Sequence, residues 1–240
     1  TKLAIHTTEV GLDEQWGLDH GAWSVIKHIY PKADVPVLQL SLDYTKAPQY
    51  HYELAKEIAK HLQILYIDSG AMYRAITWYA IQQDIIKEDI LDREKLIASL
   101  PQIEVTFQLT ATYPVIVLNG VNVEANIRTM EVANQVSKVA AIPEVRFKLV
   151  ELQRKISENQ SVVMDGRDIG TTVFPNAELK IFVTADPAIR VARRYLELSA
   201  KNPGITKEEV QANLAMRDEI DSTREFSPLR KADDAVVLDN

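Results

Sequence analysis

Val162-Val163-Met164-Asp165-Gly166-Arg167-Asp168-Ile169-Gly170 is a short apolar run that breaks into a polar turn framed by two glycines. The first three residues suit a strand buried in a parallel sheet, where both faces are covered and the sequence is apolar without alternation. In open α/β sheets ligands bind beyond the carboxyl ends of strands. The turn from Asp165 to Gly170 stands there. Gly166 and Gly170 permit close backbone approach, Arg167 can grip a phosphate with a two-pronged guanidinium, and Asp168 can accept hydrogen bonds from a base or sugar. Taken alone, the same residues also suit a tight turn with a surface Arg–Asp pair.

Outward from this stretch, strands and helices alternate. Residues 64–67, 180–183 and 236–238 read as further short strands. Residues 71–83, 131–141, 144–157, 187–199 and 207–220 read as helices, the last two opened by Asp186-Pro187 and by Thr206 followed by acidic residues. Residues 84–100 read as a charged helical region. Residues 103–109 and 115–118 are rich in β-branched side chains and read as a hairpin turning near Tyr113-Pro114, with a second turn at Asn119-Gly120. This alternation predicts an α/β fold with a mostly parallel sheet. Nearer the amino terminus, residues 1–20 read as polar and irregular, 22–30 and 49–62 as helices, and 35–42 (VPVLQLSL) as a buried strand.

Three more clusters carry chemistry. Asp68-Ser69-Gly70 with Arg74 falls where a strand meets a helix, and a helix amino terminus is a ready anion site; an ordinary cap with an exposed arginine is the plainer alternative. Arg217-Asp218-Glu219-Ile220-Asp221-Ser222-Thr223-Arg224 sets Asp221 and Arg224 three apart at a helix end, where both can address one ligand; a solvated charge run is the alternative. Arg190, Arg193 and Arg194 share one helical face and repel one another unless an anion stands opposite, and a polyphosphate is a natural candidate. A solvated basic face is again the alternative.

Bulk properties narrow the classes. The net charge of −7 argues against a nucleic-acid binder, which needs a basic surface. No apolar run approaches the roughly 18–20 residues of a membrane span. The amino-terminal residues show no secretory pattern. The chain has no cysteine, which excludes disulfides, thiolate metal sites and cysteine nucleophiles and fits a cytoplasmic protein.

Together, DSGAMYRA (68–75), VANQVSKVAAIPEVRFKLVELQR (132–154), DGRDIGTTVFPNAELKIFVTA (165–185) and RDEIDSTREFSPL (217–229) occur in the order and spacing of bacterial cytidylate kinases, and residues 58–240 resemble that family. The resemblance implies a P-loop-kinase-like parallel sheet flanked by helices. It also implies a small inserted nucleoside-monophosphate-binding domain at about 92–157 and a lid at about 187–205. It places Ser69, Arg74, Ser137, Arg146, Arg167, Asp168, Asp221 and Arg224 around CMP or dCMP. It gives Arg167, Asp168, Arg190 and Arg194 to phosphoryl transfer, and Arg193 and Arg217 to the Mg-ATP donor. Such transfer rests on positioning and charge neutralisation, with no protein nucleophile.

One part of the family pattern is missing. No G-x-x-x-x-G-K-[ST] sequence occurs in the 240 residues. Its amides would cradle the ATP phosphates, its lysine would reach the β/γ oxygens and its Ser/Thr would hold Mg²⁺. In its place, residues 7–57 (GLDEQWGLDHGAWSVIKHIYPKADVPVLQLSLDYTKAPQYHYELAKE at 11–57) resemble an internal piece of the extradiol dioxygenases related to DOPA 4,5-dioxygenase. In that family the histidine matching His20 belongs to the active site, but its metal ligands come from other parts of a longer chain. His6, His28, His51 and His61 form no metal motif, so no metal site is expected. The chain therefore reads as a chimera joined near Glu53–Lys60. The loop Asp43–Pro48, with Lys46 but no glycine, offers no ATP cradle. Three functions follow: a CMP kinase with an impaired ATP site, a CMP-binding protein without turnover, and a metal-dependent catechol dioxygenase relic.

Overall fold

The computed structural model describes residues 3–5, 8–10, 65–109, 114–158, 160–200 and 203–239. The chain divides into two units, Thr1–Leu65 and Tyr66–Asn240. In the first, β1 (Leu3–Ile5) pairs antiparallel with β2 (Thr8–Val10), Leu3 opposite Val10 and Ile5 opposite Thr8. This corrects the irregular reading of residues 1–20: Ile5, Thr8 and Val10 are β-branched and favour pairing, but three-residue strands are too short to show a period. The helices expected at 22–30 and 49–62, the strand at 35–42, the loop Asp43–Pro48 and His20 lie outside the described residues.

The second unit is built on one central helix. Strand β3 (Leu65–Asp68) runs directly into α1 (Ser69–Gln82), whose first turn is closed by Asp68, accepting from the Ala71 amide at 2.9 Å. Ala71, Met72, Tyr73, Ala75, Ile76 and Ala80 are all buried, so α1 is apolar on most sides and needs cover around nearly its whole girth. That cover comes from elements that follow it.

The helical region expected at 84–100 divides in two. Asp84 adopts φ +50° and ends α1, and β4 (Ile86–Lys87) then turns back into β5 (Ile90–Leu91) through Glu88 and Asp89, at φ +49° and +64°. Only α2 (Arg93–Ser99) is helical, capped by Asp92 on the Lys95 amide. Paired strands of two residues are too brief to be told from charged helix by periodicity.

Strands β6 (Val105–Leu109), β7 (Pro114–Leu118) and β8 (Val121–Asn122) form an antiparallel meander with Leu109 opposite Pro114 and Leu118 opposite Val121. Pro114 therefore opens a strand, where a missing N–H is tolerated. Asn119 and Gly120 take φ +47° and +80°, the left-handed pair that a two-residue hairpin requires. Helices α3 (Met130–Ala140) and α4 (Pro143–Ser157), divided by Pro143, complete the shell. Met72, Ile76, Leu96, Ile116, Val139 and Leu149 meet in one buried cluster around α1. Full burial of side chains of this size contributes about 1.5–3 kcal/mol each.

Beyond this core, β9 (Val162–Asp165) lies beside β3. Strand β10 (Ile181–Thr184) runs parallel to β11 (Val236–Asp239), with Ile181 opposite Val236. Helices α5 (Pro187–Ser199) and α6 (Lys207–Thr223) pack together, joined by Leu198, Ile205 and Val210. Helix α6 opens with a capping box, Thr206 with Glu209, and runs to Thr223, so Asp221 sits in its last turn. The architecture is mixed α/β with a parallel strand pair. The expected continuous sheet is two separate pairs among the described residues, since β9 and β10 are not bonded to each other. Among those residues, no helix is long and apolar enough to cross a membrane.

Candidate active site

The Asp165–Gly170 turn leaves the carboxyl end of β9 and meets the amino terminus of α1. Ser69 Oγ donates to the Asp165 carbonyl at 2.6 Å, stitching the two together. A Cβ on Gly166 would run into Ser69 Oγ and would lie 2.8 Å from Ile169 Cδ1, so any other residue there forces the turn or its neighbours to shift. The first turn of α1 does not hold its anion site open. Asp68 takes Arg74 at 2.6 Å and also Arg128 at 3.0 Å, while Arg128 keeps Glu124 at 2.7 Å. Burial pulls the Arg74 guanidinium below its usual range despite Asp68 beside it.

Below the turn, Arg146 of α4 is ion-paired with Asp168 and donates to the Ala140 carbonyl at 3.1 Å. Its guanidinium carbon lies 5.3 Å from the centre of the Tyr73 ring. The Tyr73 hydroxyl is buried without a hydrogen-bond partner, and burial pushes it up to about 12.

A second carboxylate organises the opposite wall. Asp221 accepts from Arg167 Nε at 3.1 Å and Arg224 Nη1 at 3.3 Å, and Arg224 Nε donates to the Ser227 carbonyl at 2.8 Å. Arg224 Nη2 and Arg217 Nε are buried with no partner. Arg217 is brought down to about 10 by burial and by the charge of Arg167. A cation held in that state gains from any anion that reaches it.

On α5, Arg190 grips Asp218 with two bonds of 2.6 and 3.0 Å, and Arg194 pairs with Glu197 at 2.7 Å. The anion that the helical spacing called for is thus, in this conformation, a protein carboxylate. Arg193 projects from the same helix.

These groups converge on one cleft of about 970 Å³. Ser69, Arg74, Ser137, Arg146, Arg167, Asp168, Arg190, Arg217, Asp221 and Arg224 line it; Arg193 and Arg194 do not. Cations outnumber carboxylates along its walls, in a chain whose net charge is −7. The arrangement can bind a phosphate with forked, partly desolvated arginines and can orient hydroxyl or amide groups against Ser137, Asp168 and Asp221.

Asp68, Tyr73 and Asp218 also line the cleft; the sequence sets Asp68 and Asp218 inside chemical clusters but gives none of the three a role of its own. Asp68 was within the quoted DSG segment, and its position before a helix marks it as a cap. For Arg128 the sequence offers only its i,i+4 neighbour Glu124; its pairing with Asp68, far away in sequence, carries no local signal. The phosphate cradle is absent from the sequence, and among the described residues no group of three or more His, Asp or Glu side chains is placed to hold a metal ion.

A family model for cytidylate kinase matches residues 52–240. The cytidylate kinase of Flavobacterium psychrophilum is 52% identical over 189 residues, spanning 78% of this chain and 84% of that protein. Those of Parabacteroides distasonis and Bacteroides thetaiotaomicron are 53% and 51% identical over 189 residues, each spanning 78% of this chain and 82% of the relative.

Proposed function

This chain belongs to the cytidylate kinase family, and from that premise we propose that the cleft receives CMP or dCMP and presents its 5′-phosphate for phosphoryl transfer, with an impaired ATP side. The observation that carries the reading is the convergence of Ser69, Arg74, Ser137, Arg146, Arg167, Asp168, Asp221 and Arg224 on one cleft. Arg167, Arg217 and Arg224 supply the charge for a phosphate, with two buried guanidinium nitrogens still unpaired. Asp168 and Asp221 are each already fixed by arginine, which sets their remaining oxygen lone pairs in place for a base or sugar.

In the family, ATP brings the transferred phosphoryl group and Mg²⁺ neutralises it. Here Arg190 is the lid residue nearest that role, since it lines the cleft; Arg193 and Arg194 belong to the same helix and approach only if α5 moves. We read about 92–157 as the monophosphate-binding insert and about 187–205 as the lid, in a cytoplasmic enzyme. Residues 1–51 lie outside the family match; we read residues 7–57 as foreign, dioxygenase-like sequence standing where the phosphate loop belongs, on the resemblance of that stretch alone. That same gap favours a second reading, a protein that binds CMP and transfers nothing.

Calorimetry with CMP and with ATP, beside an assay for CDP, tests both. CDP formation that disappears in Arg167→Ala supports the kinase. CMP binding without ATP binding or CDP supports the binder. Failure of CMP to bind, with the fold intact, removes both.

A further inference from the structure

Asp68 serves two arginines at once. Its Oδ2 lies 2.6 Å from Arg74 Nη2 and 3.0 Å from Arg128 Nη2, while Oδ1 accepts from the Ala71 amide at 2.9 Å. Arg74 lines the cleft; Arg128 does not. Arg128 ends a single 3-10 turn, Asn126–Arg128, pinned by the fully buried Ile127. The Asn126 and Ile127 amides both donate to the Val123 carbonyl, at 2.9 and 3.1 Å. Glu124 holds Arg128 from behind. Its Oε1 accepts from Arg128 Nε at 3.1 Å and Nη2 at 2.7 Å, and its Oε2 accepts from the Ile116 amide of β7 at 3.2 Å. Arg128 is thus fixed to the antiparallel meander as well as to Asp68. Arg74 is less committed, since its buried Nε has no hydrogen-bond partner among the described residues. Asp165, at the end of β9, adds a second carboxylate, held above its ordinary range by burial and by the charge of Asp68. Unpaired negative charge is therefore unfavourable here.

We propose that Arg128 is a positioning residue for the acceptor phosphate, keeping Asp68 paired when Arg74 leaves that carboxylate for the 5′-phosphate of CMP. The inference rests on the CMP reading of the cleft. In the ligand-free fold Asp68 divides its attraction between two cations, so Arg74 is held more loosely than in a two-membered pair. When the phosphate arrives, Arg74 exchanges one anion for another, and Asp68 retains Arg128 and its cap on α1. Without Arg128 the same exchange strands Asp68 with no cation, facing Asp165 and the incoming phosphate. Stranding one member of a desolvated ion pair is strongly unfavourable. Arg128 touches no nucleotide in this scheme and acts through Asp68.

The test uses the full chain. Calorimetry gives the affinity for CMP and for cytidine, which lacks the phosphate, in the parent, Arg128→Gln, Asp68→Asn and the double variant; asparagine preserves the cap on α1. The expected result is a loss of CMP affinity of roughly tenfold in Arg128→Gln, with cytidine affinity unchanged, and a loss below about twofold when the same change is made on Asp68→Asn. Equal losses in the two backgrounds would make Arg128 a phosphate ligand in its own right and overturn the proposal. So would a parallel loss of cytidine affinity, which marks a structural role, or no loss at all. A second measurement needs no nucleotide. The interaction between Arg74 and Asp68, read from urea midpoints of Arg74→Gln, Asp68→Asn and their combination, should be larger in the Arg128→Gln background than in the parent. An equal or smaller interaction overturns the sharing of Asp68 even where CMP binds. A parent that binds no CMP overturns the reading beneath the exchange, while the sharing of Asp68 stands or falls on the urea cycle alone.

Discussion

Arg146 and Asp168 form an ion pair sealed from water, the arginine 1% and the aspartate 5% exposed. One arm of the guanidinium also donates to the Ala140 carbonyl at 3.1 Å, and its carbon stands 5.3 Å from the centre of the Tyr73 ring. A single side chain on α4 therefore ties together the end of α3, the centre of α1 and the turn after β9.

Such a pair resists one-sided change more than two-sided change. Arg146→Met leaves Asp168 charged and uncompensated in the interior, at a cost of about 3–5 kcal/mol. Replacing both, as Arg146→Met with Asp168→Leu, should recover most of that loss while abolishing nucleotide binding. Urea denaturation of the two single variants and the double variant measures the coupling. Strict additivity would mean that the pair contributes no mutual stabilisation.

Gly166→Ala tests the junction between the turn and α1. Its Cβ would collide with Ser69 Oγ and sit 2.8 Å from Ile169 Cδ1. Overpacking of this kind costs about 1–3 kcal/mol, and the turn that carries Arg167 and Asp168 must shift. The expected outcome is a lower melting temperature and a loss of CMP affinity by about tenfold or more. Adding Ser69→Gly should restore part of the stability, because one of the two obstacles is then gone.

What the chain discloses without coordinates follows physical range. Helix α5 spans 187–199, as expected, because its start signal, Asp186-Pro187, is local and strong. The turn after β9 was legible for the same reason. The ion pairs were not. Helical spacing placed Arg190, Arg193 and Arg194 on one face but said nothing of Asp218, which comes from another helix. Arg74 was expected to face an anion at its helix start, and that anion is Asp68, within the quoted segment itself. The β4–β5 turn was missed because Glu88 and Asp89 adopt left-handed backbone that their residue types only tolerate.

Tyr73→Phe separates a buried ring from its unpartnered hydroxyl. The ring keeps its contact with Arg146, and deleting an unsatisfied buried hydroxyl should leave stability at pH 7 unchanged or raise it by up to about 1 kcal/mol. The folded state holds the Tyr73 proton up to about 12, against 10.0 for an ordinary tyrosine. A raised value contributes stability that is present below pH 10 and lost as pH rises to 12. Relative to Tyr73→Phe, the parent protein should thus lose up to about 3 kcal/mol across that window. Denaturation of both proteins at pH 9 and pH 12 reads the difference. An equal alkaline loss in the phenylalanine variant would remove Tyr73 as its source.

Arg217 should show stability and binding moving in opposite directions. Burial and the neighbouring charge of Arg167 bring it down to about 10 from 12.5, so the charged form is disfavoured in the ligand-free fold. A lowered value in a base means that folding gains stability only as pH rises from about 10 toward 12.5; at neutral pH the full penalty is present. Arg217→Met keeps much of the side-chain volume and drops the charge. It should raise the melting temperature of the ligand-free protein, by an amount corresponding to about 1 kcal/mol or more. The same change removes an unpaired guanidinium nitrogen from the cleft, and CMP affinity should fall about tenfold or more. Melting curves with and without CMP distinguish the two effects. The parent gains thermal stability on adding CMP and Arg217→Met gains much less, from a higher starting point. A variant less stable than the parent before any ligand is added would show that Arg217 supports the fold itself, with the unpaired nitrogen of no consequence to binding.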